Sequence, residues 1–259
     1  LEKWLSIALQ SAIRNPHSAI ERLVTNLLTM PDLSFQIEGA EAVPFTASPL
    51  LAFKLRVTNA DAEEPIQTVA LRCQIQIESA RRKYAAGEQE RLLDLFGEPE
   101  RWSRTLRPML WTHASVIVTP FQGSTVVDLQ VPCTFDFNVA AAKYFAGLED
   151  GEVPLNLMFS GTVFYEANGG ALQVEQISWD KEAKYRLPVR VWKEMMDIYY
   201  PNIAWLCLRR DVFDRLSLYK MKRGIPTWEQ TLDSILPPVE ETKSADPEIE
   251  ETSVEEIVQ

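Results

Sequence analysis

The chain has 259 residues, 46% of them hydrophobic and 24% charged, a globular composition with room for one sizeable domain and extensions. Acids outnumber bases 37 to 26, and the net charge of −11 argues against the basic face that nucleic-acid binders need. Two histidines and three cysteines leave little material for a transition-metal site or a histidine-based catalytic machine.

Residues 1–29 stand apart. Leu5, Ile7, Leu9 and Ile13 suggest helical turns, and Asn15-Pro16 then supplies a cap and a proline at a first helical position. Ile20, Leu23, Val24, Leu27 and Leu28 form an amphipathic stripe. The chain opens on Leu1, whereas Met30-Pro31-Asp32 has the look of an ordinary start. Residues 1–29 are expected to be a helical N-terminal extension, from upstream translation or a fused chain; a genuine partner-binding helix is the alternative.

From Leu33 the period changes to two. Phe53, Leu55 and Val57 alternate with Lys54, Arg56 and Thr58, and Val69, Leu71, Cys73, Ile75 and Ile77 alternate with Arg72, Gln74 and Gln76. The polar run Asn59 to Pro65 between them predicts an antiparallel hairpin. Residues 79–110 interrupt the sheet, with a helix over Glu88 to Phe96 that stops at Gly97. Strands resume at Ser115–Val118, Val126–Val131, Cys133–Phe137 and Leu155–Tyr165. Asn168-Gly169-Gly170 then predicts a turn into Leu172–Trp179, where a change of parity near Glu175–Gln176 predicts a bulge.

The C-terminal part is helical in pattern. Val189 to Tyr199 is a candidate helix ended by Pro201, Ile203 to Arg223 a second closing at Gly224, and Thr227 caps a third with Gln230 at its third position. Strands first and helices last predict an α+β fold, an antiparallel β-sandwich-like (immunoglobulin-like) sheet domain followed by C-terminal helices. The single domain is placed at residues 30–236. After Pro237-Pro238 residues 239–259 hold eight acids and one base, a charge of −7, which leaves −4 for the rest. That composition predicts a disordered acidic tail over 237–259.

Chemistry is sparse. The cysteines Cys73, Cys133 and Cys207 are 60 and 74 residues apart in apolar runs and read as buried reduced thiols. No phosphate-binding glycine loop or GxSxG elbow occurs. Outside the extension His113 is the sole histidine; a general base is conceivable there, and a packing or hydrogen-bonding role is the ordinary reading. Asp211 and Asp214 lie among Arg209, Arg210 and Arg215, which reads as surface ion pairing. The expectation is therefore a chain with no catalytic, cofactor or metal site.

One segment is more informative. Arg81, Arg82, Lys83, Arg91, Arg101, Arg104 and Arg107 fall within 27 residues, interleaved with Tyr84 and Trp102 and offset by Glu88, Glu90, Asp94, Glu98 and Glu100. A solvated helix face is the ordinary reading. The functional one is a protein-docking patch of Arg81, Arg82, Arg101, Trp102, Arg104 and Arg107, since Arg and Trp are enriched at interface hot spots. Six of the seven tryptophans lie between residues 102 and 228, where core filling is the default. With no apolar run near the roughly 20 residues of a membrane span, and no signal peptide, the sequence reads as soluble and cytoplasmic.

The stretches LLDLFGEPERW, SRTLRPMLW and PFQGSTVVDLQVPCTFDFNVAAAKYFAGLEDGEVPLNLMFSGTVFY, with LPVRVWKEMMDIYYPNIAWLCLRRDVFDRL and GIPTWEQTLDSIL, carry a resemblance. Over residues 30–236 the chain resembles an uncharacterised bacterial family, the domain of unknown function 6084, encoded beside high-affinity uptake nickel–iron hydrogenases of the actinobacterial type. The family lends no catalytic residues. The resemblance implies a non-enzymatic accessory protein of hydrogenase assembly or operation, with hydrogenase subunits as partners. Pro201-Asn202-Ile203, the Arg-bearing helix after it and Arg223-Gly224 before Pro226 are similar to the closing segment of the SecB export chaperone, which implies a holdase as the alternative. An enzyme centred on His113 is the remaining one. No nucleic-acid partner, membrane span or cofactor is expected, and the oligomeric state stays open.

Overall fold

The computed structural model describes residues 30–134, 139–167, 171–203, 206 and 208–237. The helical extension expected at 1–29 and the acidic tail lie outside the described residues, apart from Pro237. The chain divides into two compact units, one up to Ala204 and one from Trp205.

The first unit is built on antiparallel strands. Strands β1 (Leu33–Ala42), β2 (Leu50–Asn59) and β6 (Ser124–Pro132) form one sheet in the order β1-β2-β6. Strands β3 (Pro65–Ile77), β4 (Met109–Val118) and β7 (Glu152–Ala167) form the spine of the other, in the order β4-β3-β7. The short β5 (Phe121–Gln122) pairs with β3, while β8 (Ala171–Gln176) and β9 (Glu182–Pro188) pair with different stretches of β7.

The alternation read from the sequence sets the faces. Phe53, Leu55 and Val57 on β2 and Val69, Leu71, Cys73, Ile75 and Ile77 on β3 are all buried, as period-two patterning demands. The two sheets share their core: Phe35 of β1 stacks on Phe159 of β7 with ring centroids 4.3 Å apart, and Phe53 meets Trp111 of β4 and Tyr185 of β9 edge-on.

The hairpin predicted between β2 and β3 is not formed. The two strands belong to different sheets, and the polar run between them is a crossover rather than a hairpin turn. The β7–β8 pairing expected around Asn168-Gly169-Gly170 is present, with Ala167 opposite Ala171. The predicted bulge is absent: the ladder runs without a shift to Gln176 opposite Thr162, and β8 ends there. The two parities are two faces: Leu172 and Val174 are exposed, whereas Ile177 packs on the core and its N–H donates to the Gly161 carbonyl at 2.9 Å. At the centre of β7, Gly161 sits opposite Leu71 of β3 with φ 147°, and a Cβ there would be driven into the carbonyl of Ala70.

Helices cover the unit. The helix predicted over 88–96 is two short ones, α1 (Ala86–Arg91) and α2 (Leu93–Phe96), broken at Leu92 and closed by Gly97 at φ 71°. After α3 (Trp102–Thr105) and β4, helix α4 (Val139–Gly147) buries Tyr144 and Phe145. Helix α5 runs over Val189–Tyr199, the predicted limits, and its Trp192 stacks on Phe145 at 5.3 Å. Its last residue anchors the β1–β2 connection, because the Tyr199 hydroxyl donates to the Val43 carbonyl at 2.7 Å and accepts from the Thr46 N–H at 2.8 Å. Cys73 and Cys133 are buried, and desolvation pushes each thiol up to about 12, so both are held as thiols. Cys207 is outside the described residues.

The second unit contains α6 (Arg210–Arg223), seven residues later than the sequence suggests, and α7 (Trp228–Asp233). Gly224 closes α6, and Thr227 caps α7 by accepting the Gln230 N–H on its hydroxyl at 3.2 Å. They meet through Phe213 on Trp228 with centroids 5.4 Å apart, the Lys220 ammonium over the Trp228 ring, and a hydrogen bond between the Tyr219 and Ser234 hydroxyls at 3.4 Å. Among the described residues no helix is long and apolar enough to cross a membrane.

Candidate functional site

The turn that follows β3 organises the charged segment. Ser79 is buried, donates from its hydroxyl to the Arg107 carbonyl at 2.9 Å, and receives the Tyr84 hydroxyl on its own carbonyl at 2.7 Å. Tyr84 also hydrogen-bonds Tyr144 at 2.9 Å and lies edge-on to Trp102 at 5.1 Å. Burial raises the pKa of both tyrosines, so both stay neutral. Trp102 is 8% exposed, its indole N–H donating to the Gly97 carbonyl at 2.8 Å. Helix α3 is thereby seated on an aromatic platform, with the Arg107 backbone tied to the same turn.

The six residues of the expected patch divide by this geometry. Arg82 and Trp102 are spent inside the molecule. The Arg82 guanidinium, 8% exposed, pairs with Glu88 at 2.5 Å and donates to the carbonyls of Asp150 at 2.6 Å and Glu152 at 3.0 Å. Glu88, 4% exposed, also accepts the N–H groups of Glu149 and Ala85. Burial alone raises a carboxyl's pKa; the two backbone donors and Arg82 outweigh it and hold Glu88 below the ordinary glutamate range. This pair closes the 149–152 turn over α1. Arg81, Arg101, Arg104 and Arg107 are exposed. Arg81 is paired with Glu78 at 3.1 Å, while Arg101, Arg104 and Arg107 have no carboxylate partner among the described residues. The neighbouring Glu98 and Glu100 are exposed too, so the surface is arginine-rich and mixed in sign.

Beside Arg81 lies a cleft of about 400 Å³ between the turn and the outer faces of β7 and β9. Its floor holds Asn156, whose amide donates to Glu182 at 3.0 Å and whose oxygen is buried with no partner among the described residues. Lys184 and Arg186 of β9 complete a rim of three cations. The Asn156 donor, then Lys184, lowers the Glu182 pKa and keeps it ionised. The cleft is mixed in sign, because Arg81 pairs with Glu78, Lys184 with Glu182 at 3.4 Å and Arg186 with Glu152 at 3.9 Å. The patch reading overlooks Asn156, Glu182, Lys184 and Arg186. A signal existed: Glu182, Lys184 and Arg186 alternate with Ala183, Tyr185 and Leu187, the mark of a half-buried strand.

His113 is exposed on β4, opposite Gln74 of β3. Among the described residues no cluster of three or more His, Cys, Asp or Glu is placed to hold a metal ion. Arg209 pairs with Asp211 at 3.1 Å as an exposed ion pair. Exposed apolar side chains gather at the end of the second sheet, with Leu172 at 63%, Val174 at 55% and Trp179 at 92%.

Among solved structures the chain is similar to a solution structure of a candidate late embryogenesis abundant protein, at 14% identity over 72% of this chain and 87% of that one, with a TM-score of 0.29. It is also similar to the β-glucosidase of Kluyveromyces marxianus, at 9% identity over 60% of this chain and 15% of that one, and to β-glucosidase 3B of Thermotoga neapolitana, at 11% identity over 60% and 17%; both TM-scores are 0.21. At these scores the likenesses carry no fold or functional argument. No curated protein matches the chain. Residues 30–244 match the model of the family of unknown function DUF6084, and the chain belongs to that family.

Proposed function

We propose that this protein is a non-enzymatic accessory protein of the cytoplasm that docks a protein partner through Arg101, Arg104 and Arg107, with Arg81 and its cleft at the edge of the contact. The observation that carries the reading is the aromatic seat under α3. It holds three exposed arginines, without a carboxylate partner among the described residues, on a fixed support, so less side-chain and backbone freedom is lost on association than from a loose loop. An immunoglobulin-like sandwich is the finer fold we infer for the sheet unit, and it would give this patch a rigid base. By resemblance the partner is a nickel–iron hydrogenase subunit, met during assembly or operation.

The test is co-purification with tagged hydrogenase subunits. The wild-type chain is expected to recover a subunit, and R101A/R104A/R107A to reduce recovery at least about tenfold, the loss of one hot-spot residue or more. Failure of the wild-type chain to recover any subunit, assembled or precursor, removes the hydrogenase reading. Undiminished recovery by the triple variant removes the patch.

A further inference from the structure

The second unit presents an uncovered helix of the opposite charge to the chain that follows it. Helix α6 has no buried residue. It carries Arg210, Arg215, Lys220, Lys222 and Arg223 against Asp211 and Asp214, a net charge of +3. The one ion pair it makes among the described residues takes Asp211 to Arg209, which lies outside the helix. Lys220 and Arg223 lean over the rings of Trp228 and Tyr219 and keep their charge there. A helix C-terminus carries about half a negative charge, which accounts for only a fraction of the three cations in the last turn. Beside them Leu218 is 45% and Met221 70% exposed, an apolar strip with nothing over it among the described residues.

We propose that α6 is the docking surface for the chain's own acidic tail, residues 239–259, which covers its basic and apolar side. The tail has the complementary chemistry: its charge is −7, and Ile249, Val254, Ile257 and Val258 stand among Glu248, Glu250, Glu251, Glu255 and Glu256. It also has the reach. The 22 residues after Pro237 extend up to about 70 Å, and the 14 residues of α6 span about 21 Å. The connection makes the encounter intramolecular, with an effective concentration in the millimolar range, so individually weak ion pairs and a few aliphatic contacts suffice. The tail thereby holds α6 against fraying and withholds its cations from other acidic partners. This inference is independent of the arginine patch on the sheet unit.

Hydrogen exchange of the α6 amides in the full chain tests it. A full-length variant carrying E248Q, E250Q, E251Q, E255Q and E256Q is expected to exchange residues 210–223 about tenfold faster than wild type, as a covering contact is lost. Salt at about 1 M, where the Debye length falls to about 3 Å, should bring the wild type to the variant's rate and leave the variant unmoved. Carbodiimide coupling should join Lys220 or Lys222 to tail glutamates in the wild type. Unchanged α6 exchange in the variant, or a salt effect equal in both proteins, or coupling of the tail to the sheet unit instead of α6, overturns the proposal.

Discussion

Two short helices, each opening on a tryptophan, show what burial does for a marginal element. Helix α3 is four residues long and α7 six, both far below the length at which a helix holds itself together in water. At α3 the Trp102 ring is 8% exposed, meets Tyr84 and Phe96 edge-on, and has its N–H satisfied by Gly97. At α7 the Trp228 ring is 38% exposed and Phe213, its ring partner among the described residues, is 45% exposed. The same residue type is a core member in one place and a loose clasp in the other. What differs is the support: β3 and its turn give Trp102 a surface to close, whereas the Trp228 ring lies against the half-exposed Phe213 and the Lys220 ammonium. The sheet unit should therefore unfold as one cooperative body, and the helix pair should open locally at a much smaller free energy.

The sharpest way to break that difference is at Gly161. A Cβ at φ 147° is forced against the Ala70 carbonyl across the central β3–β7 ladder, where backbone rather than a movable side chain must give. Gly161→Ala is expected to cost the sheet unit about 4 kcal/mol or more, among the larger single-residue effects. Chemical denaturation followed by tryptophan fluorescence measures it. A loss below about 1 kcal/mol would mean that the β3–β7 pairing can shift to admit the methyl group.

The next effect is at the closed corner. Glu88→Gln keeps the shape but leaves the Arg82 guanidinium buried without its charge partner, for an expected loss of about 3 kcal/mol. The pH dependence follows from the sign of the shift. Glu88 is held below the ordinary carboxyl pKa of about 4.3, so its contribution is full above that pH and lost as the pH falls through its lower folded value. Acid titration of unfolding should accordingly show a steeper decline below about pH 4 in the wild type than in Glu88→Gln. Parallel curves would assign the acid sensitivity to other carboxylates.

These two positions also show where reading the chain stops. The alternation in β2 and β3 placed Phe53, Leu55, Val57, Val69, Leu71, Cys73, Ile75 and Ile77 on the core side correctly, because period-two patterning reports which face meets the core, but it passed over the buried Leu51 and Ile66. It is silent on which strand lies alongside, and so the Asn59–Pro65 run passed for a hairpin when it is a crossover between sheets. Helix α5 was legible at its end because Pro201 punctuates it. At the site, the concentration of arginine around Trp102 was visible as composition. The opposite fates of Arg81 and Arg82 were not. They depend on Glu88 and on the carbonyls of Asp150 and Glu152, about 70 residues away, converging on one guanidinium. The same holds for Asn156 and Glu182, which only the β7–β9 register brings together.

The smallest effect sharpens the comparison from the other side. Thr227 satisfies the Gln230 N–H at the start of α7, and its carbonyl receives the Thr231 hydroxyl at 2.8 Å. Removing the capping hydroxyl in Thr227→Ala costs about 1 kcal/mol. In a cooperative fold that loss would lower the stability of every region equally. In a locally opening helix pair it should instead speed amide exchange in residues 210–233 by roughly fivefold, the factor about 1 kcal/mol represents, and leave β3 and β7 unchanged. Global unfolding measured on the sheet unit should not move. If it falls by the full 1 kcal/mol, α6 and α7 are part of the cooperative body, and the exposure of Trp228 does not mark a separate, weaker unit.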